Sequence, residues 1–110
     1  MVPSATGAVV LLPFPFSDLS QSKLRPAVVL ADAGRGDWVL CQVTSNPYGD
    51  PTAVVLDQVD FAVGSLRVQS FARPGKLFTA NDSLFSAEAG TLTTAAFRRV
   101  VSAVVKLFQP

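Results

Sequence analysis

The sequence predicts a mainly β domain, a small and strongly bent antiparallel sheet or barrel closed by one C-terminal helix. Three observations carry that expectation. Short apolar runs rich in β-branched residues recur from Ala8 to Thr79, separated by Pro, Gly, Asn and Asp. Apolar residues at helical spacing begin only at Thr94. The 110 residues make a single domain, residues 1–110, with room for one core.

Taken in order, Ala8-Val9-Val10-Leu11-Leu12 reads as a first strand ended by Pro13-Phe14-Pro15, since proline interrupts central ladders. Ser17 to Leu24 is polar without periodicity and reads as a loop. Pro26 to Leu30 forms a second strand, Gly34-Arg35-Gly36-Asp37 a turn, and Trp38 to Val43 a third strand that completes a hairpin. A second turn, Asn46 to Pro51, leads into Ala53 to Leu56. Asp57 to Ser65 is irregular with room for a short strand, because only Val59, Phe61 and Val63 alternate. Ser70-Phe71-Ala72 and Lys76 to Thr79 read as two short strands around Pro74-Gly75. After Gly90, Phe97, Val100, Val101, Val104, Leu107 and Phe108 make one helical stripe. Thr91 or Thr93 can cap it, and Arg98, Arg99 and Lys106 lie off it.

Composition narrows the function. Hydrophobic residues make up 49% and charged residues 15%, against roughly 25% charged in an average domain, so disorder is excluded. The longest apolar stretch, Ala8 to Phe16, is broken by Pro13 and Pro15 and falls short of the roughly 18 residues a membrane span needs. No basic start, apolar run and small-residue cleavage site precede it, so the expected location is cytoplasmic. The single cysteine, Cys41, has no internal disulfide partner, and there is no histidine to help it bind zinc. No metal or cofactor is expected. A small surface with so few charges predicts burial against another chain, most simply a homodimer. A net charge of +1 argues against bulk electrostatic capture of nucleic acid but leaves room for a local arginine cluster.

Without histidine, chemistry is sought among polar residues at strand ends. Arg25 opens an apolar strand, where a guanidinium on rigid backbone can fork onto a phosphate; the plainer reading is a surface arginine. Thr44-Ser45 end the third strand before a Pro/Gly turn, where hydroxyls can meet a phosphate or simply satisfy turn backbone. Arg67, Gln69 and Ser70 form a third polar group, with Arg73 beyond it, and strand alternation would place Arg67 and Gln69 on one face. Cys41 reads as core and Trp38 as a packing anchor rather than a base-stacking ring. The carboxylates are scattered and form no readable acid–base pair.

Gly7-Ala8-Val9-Val10-Leu11-Leu12-Pro13-Phe14-Pro15-Phe16-Ser17-Asp18, then Lys23-Leu24-Arg25-Pro26-Ala27-Val28-Val29-Leu30, then Gln42-Val43-Thr44-Ser45, resembles the MazF/PemK family of toxin ribonucleases. Ser70 to Thr79 and Gly90-Thr91-Leu92 look like its PemK-like branch, so the resemblance spans Gly7 to Phe108. It implies an SH3-like barrel with a C-terminal helix, usually a homodimer. It also implies cleavage of single-stranded RNA, often messenger RNA, without a metal ion, and inhibition by an acidic antitoxin protein.

By position, Arg25 matches the family's catalytic arginine and Thr44 the strand-end residue paired with it, while Arg67 matches a second arginine of some members more loosely. Asp18, Ser22, Lys23, Ser45, Gln69, Ser70 and Arg73 are the accompanying substrate-binding candidates. The chain departs from the family pattern at Ala8, where an acidic residue is usual, and at Gln69, where some relatives place an aspartate. It also lacks the first-loop histidine of some members. Asp18 is then the nearest candidate for a general base. The alternative from another class is a non-catalytic SH3-like module that binds RNA or an antitoxin-like peptide in the same groove.

Overall fold

A computed structural model describes residues 1–14 and 23–110. Seven strands, β1 (Ala8–Phe14), β2 (Lys23–Gly34), β3 (Asp37–Thr44), β4 (Val54–Leu56), β5 (Phe61–Gly64), β6 (Ser70–Asn81) and β7 (Ala87–Leu92), precede one helix, α1 (Thr94–Phe108). They pair antiparallel in the order β4-β6-β3-β2-β1-β7-β5 and curl into a nearly closed barrel. This is the small antiparallel barrel with a C-terminal helix that the sequence predicts. No helix among the described residues is long and apolar enough to cross a membrane.

The middle of the sheet is buried on both faces, which explains the unbroken apolar runs of β1 and β2. Val9, Val28, Cys41 and Val43 point to one face, where Leu56, Leu92 and the helix residues Ala96 and Val100 complete a cluster. Ala8, Val10, Leu12, Phe14, Ala27, Val29, Leu40 and Phe85 form a second cluster on the other face. Cys41 is fully buried as core of the first cluster, and loss of hydration pushes its thiol up to about 12, partly offset by a hydrogen bond with the Arg73 backbone. Trp38 packs beside the second cluster and donates its indole N–H to Asp82 at 3.3 Å, as a packing anchor does.

Several strand boundaries differ from expectation. β1 runs through Pro13 to Phe14, because its pairing to β7 stops at Leu11 and one edge is open where the proline sits. β2 likewise passes through Pro26, since its pairing with β3 starts at Ala27. Much of the polar loop read over Ser17 to Leu24 lies outside the described residues, and Lys23 and Leu24 already belong to β2. The two short strands expected around Pro74-Gly75 are one strand, β6. Both halves pair with β3, as Val43↔Ala72 and Cys41↔Leu77, and Arg73 to Lys76 bulge out opposite Gln42. A Pro-Gly pair reads locally as a turn, yet the chain keeps its direction because β3 holds both flanks.

Asp57 to Ser65 resolves into a 3₁₀ turn, Gln58–Asp60, and the short strand β5. β7 has no counterpart in the sequence reading. Its Ala-Glu-Ala-Gly-Thr-Leu has little β propensity and forms because β1 and β5 supply partners on both sides. α1 starts where the stripe predicts, and of the two possible caps it is Thr93 whose hydroxyl accepts the Ala96 N–H, at 3.1 Å. The stripe packs only over its first turns, and Leu107 and Phe108 emerge exposed.

Candidate active site

Side-chain alternation builds the site from the second cluster. Ala27 and Leu40 lie on that face, so Arg25, two residues before Ala27, and Gln42 and Thr44, two and four after Leu40, continue the same row beyond the apolar centre. The row turns polar at its end and opens a cleft of about 320 Å3, lined by Phe14, Arg25, Gln42, Thr44, Tyr48 and the two cations of the β6 bulge, Arg73 and Lys76. Phe14 closes its inner end, edge-on to Phe78 with ring centres 5.0 Å apart. The bulge matters here: a regular β6 would not present Arg73 and Lys76 together opposite Gln42.

Thr44 is nearly buried, and its hydroxyl accepts the Asn46 N–H at 3.2 Å and donates to the Asn46 carbonyl at 3.0 Å. The hydroxyl thus organises the turn, and Thr44 also lines the cleft. Arg25 is half-buried, and among the described residues no carboxylate pairs with it. Arg73 does have one, its Nε lying 3.1 Å from Asp50, and its guanidinium carbon sits 5.8 Å from the centre of the Tyr48 ring. The lining thus carries three cations, of which Arg73 alone is paired, with Asp50 outside the lining, and this makes a local positive site on a chain of near-neutral charge.

The hydroxyl and N–H of Thr52, followed by Arg73, hold the Asp50 carboxyl below its ordinary value of 3.8. With its folded value depressed, Asp50 contributes stability that is fully present above that ordinary value and lost as pH falls through the lower folded one. Asp50→Asn should therefore flatten the acid limb of stability. Urea midpoints followed from neutral pH down to about 3 check this, and an unaltered acid limb would contradict it.

The other sequence candidates fall elsewhere. Ser45 is exposed beside Thr44, and Lys23 is exposed at the first residue of β2, opposite Phe14. Asp18 and Ser22 lie outside the described residues. Arg67 and Gln69 precede β6 rather than alternating along it. Arg67 adopts a left-handed backbone with φ 69°, its N–H donating to Ser65 Oγ at 2.8 Å. With Gln69, which donates to Asp57 at 3.0 Å, it lines a separate cavity of about 190 Å3. Ser70 is buried and donates to the Val68 carbonyl at 3.1 Å. Within one chain, then, the structure brings Arg25, Thr44 and Arg73 together and leaves Arg67, Gln69 and Ser70 apart.

Sequence reasoning missed Gln42, Tyr48 and Lys76. Gln42 was within reach, since it shares a face with Thr44 by strand period; Tyr48 was hidden in a segment read only as a turn, and Lys76 was read only as the first residue of a short strand after Pro74-Gly75. A larger groove, of about 610 Å3, runs along α1 past Arg98, Ser102 and Lys106, without the strand-end hydroxyl of the Arg25 cleft. Among the described residues no three His, Cys, Asp or Glu side chains gather as a metal site.

The solved structures that share this single-helix β-barrel include MazF toxins. A chain of MazE-MazF (Form-II) from Deinococcus radiodurans matches with TM-score 0.77 at 24% identity, covering 99% of this chain and 97% of that one. An endoribonuclease in complex with its cognate antitoxin, from a mycobacterial species, matches with TM-score 0.73 at 14% identity, over 99% and 96%. The Mycobacterium tuberculosis toxin MazF-mt6 matches with TM-score 0.72 at 16% identity, over 93% and 96%. No curated protein sequence matches. Residues 5–108 match the family of PemK-like, MazF-like toxins of type II toxin-antitoxin systems, and the chain belongs to that family.

Proposed function

We propose that the protein is the toxin of a type II toxin–antitoxin pair and an endoribonuclease that cuts single-stranded RNA, messenger RNA included, at short sequences. The observation that carries this is the convergence of Arg25, Arg73 and Lys76 around the Thr44 hydroxyl in one cleft. The reaction is attack of a ribose 2′-oxygen on the adjacent phosphorus, with the 2′-hydroxyl proton removed. The bond to the 5′-oxygen breaks, that oxygen takes a proton, and 2′,3′-cyclic phosphate and 5′-hydroxyl ends result. The step needs in-line positioning and stabilisation of the phosphorane charge, and it requires no protein nucleophile and no metal ion.

In this reading Arg25 neutralises that charge and hydrogen-bonds the leaving oxygen, while Ser45, and Thr44 with its hydroxyl proton turned from the Asn46 carbonyl, hold non-bridging oxygens. Arg73 and Lys76 take flanking phosphates. Asp18, Ser22 and Lys23, and Gln69 and Ser70 near Arg67, are proposed as more distant strand contacts. Arg67 is proposed as the second arginine along the RNA path. A cytoplasmic homodimer silenced by an acidic antitoxin completes the reading, and exposed Leu107 and Phe108 on α1 are consistent with a further chain being buried.

One observation favours a second reading, a module that binds RNA without cutting it: among the described residues lining the cleft there is no carboxylate or histidine to serve as base. Incubation of the purified protein with a long single-stranded RNA in excess EDTA decides between them. Discrete fragments are expected. Intact RNA that is nonetheless bound would establish the second reading instead.

A further inference from the structure

We propose that Tyr48 is a stacking platform for a nucleobase next to the reacting phosphate, held ready at the cleft rim by Arg73 and Asp50. The inference rests on the reading of the cleft as a site for single-stranded RNA. Tyr48 is a large aromatic side chain left 71% exposed, in contrast to Trp38, whose ring is partly buried and hydrogen-bonded. A solvent-facing ring adds nothing to the core, yet the chain fixes it with several interactions.

Its backbone is left-handed, with φ 53°, a conformation that is unfavourable for a side chain of this size. Asn46 Oδ1 maintains it by accepting the Tyr48 N–H at 2.9 Å, and the Asp50 N–H closes the turn on the Pro47 carbonyl at 2.9 Å. Asn46 is in turn fixed by both hydrogen bonds to the Thr44 hydroxyl, so one continuous chain of contacts sets the ring's position relative to Thr44.

The side chain is placed as firmly. The Arg73 guanidinium lies over the ring, its Nε is held by Asp50, and Asp50 is itself held by the Thr52 N–H and hydroxyl at 2.9 and 2.6 Å. The two terminal nitrogens of Arg73 make no hydrogen bond among the described residues and so are available to a phosphate. A ring already ordered loses little freedom when a base stacks on it. Specific recognition of single-stranded RNA uses splayed bases on aromatic side chains, and a pinned, exposed tyrosine beside three cations supplies such a surface.

The protein has one tyrosine, so ring-labelled tyrosine gives an NMR signal from Tyr48 alone. The probe is a random-sequence pool of short 2′-fluoro RNA, which binds as RNA does but lacks the attacking hydroxyl. Titration should move the Tyr48 ring protons upfield, and the same shift should appear in Arg25→Ala, which separates stacking from chemistry. Tyr48→Asn, which tolerates the left-handed backbone and removes the ring, should weaken binding by on the order of 10- to 100-fold. Tyr48→Phe, which keeps the ring, should restore most of it.

Binding that leaves the Tyr48 signal in place, or that is equal in wild type and Tyr48→Asn, would overturn the platform even if the wild type cuts RNA. A shifted ring in a protein that cuts nothing would support the platform and refute the nuclease. No binding of the pool by the wild type would refute both.

Discussion

Arg25→Ala is expected to lower the rate of RNA cleavage by about 10²–10³ or more and to leave the melting temperature nearly unchanged. The rate loss follows from the position of the guanidinium at the end of the polar row, within the same cleft as Thr44, where Arg25 is the one β2 residue among the described lining. Unchanged stability follows from its surroundings. Arg25 is half-buried, its neighbour across β1 is Leu12, and among the described residues it has no ion pair to lose. Full cleavage by this variant would remove Arg25 from the chemistry. A variant that fails to fold would instead show a structural role that the surroundings do not suggest.

The largest stability effect is expected at Gly64, where β5 meets β7. Gly64 pairs with Gly90, and a Cβ at Gly64 would lie 2.1 Å from the Ala89 carbonyl oxygen and 2.7 Å from the Gly90 Cα. Both are backbone atoms and cannot swing aside. With φ at +71°, alanine is also strained there. Overlap and strain together should cost about 3 kcal/mol, and the melting temperature should fall by roughly 10 °C or more. Gly75 is the control, because a Cβ there meets nothing within 4 Å. Gly75→Ala should melt with the wild type, and a Gly64→Ala that did the same would contradict this account of how β5 joins the barrel.

What the sequence reveals of the fold follows from how local each signal is. β2 and β3 and the turn between them, and α1 with its Thr93 cap, are written in short-range patterns that survive without knowledge of partners. β7 is not, because Ala87 to Leu92 becomes a strand only between β1 and β5. The continuity of β6 is hidden in the same way, since Pro74-Gly75 reads as a reversal until β3 is seen to hold both flanks.

That error also concealed part of the site, as Lys76 reaches the cleft only from the bulge. Arg25 and Thr44 were legible as strand-end polar residues and matched by the family's motifs, whereas Tyr48 depends on a turn whose conformation is set by Asn46 and Asp50. Arg67 and Gln69 do line one cavity together, but not through strand alternation, because β6 begins only at Ser70.

The most direct test of the central claim is the chemistry of the ends left when wild-type protein digests single-stranded RNA in excess EDTA. Attack by the neighbouring 2′-oxygen under Arg25 predicts 5′-hydroxyl and 2′,3′-cyclic phosphate termini. Fragments carrying 5′-phosphate would mean that water or another nucleophile attacks, and would contradict the account.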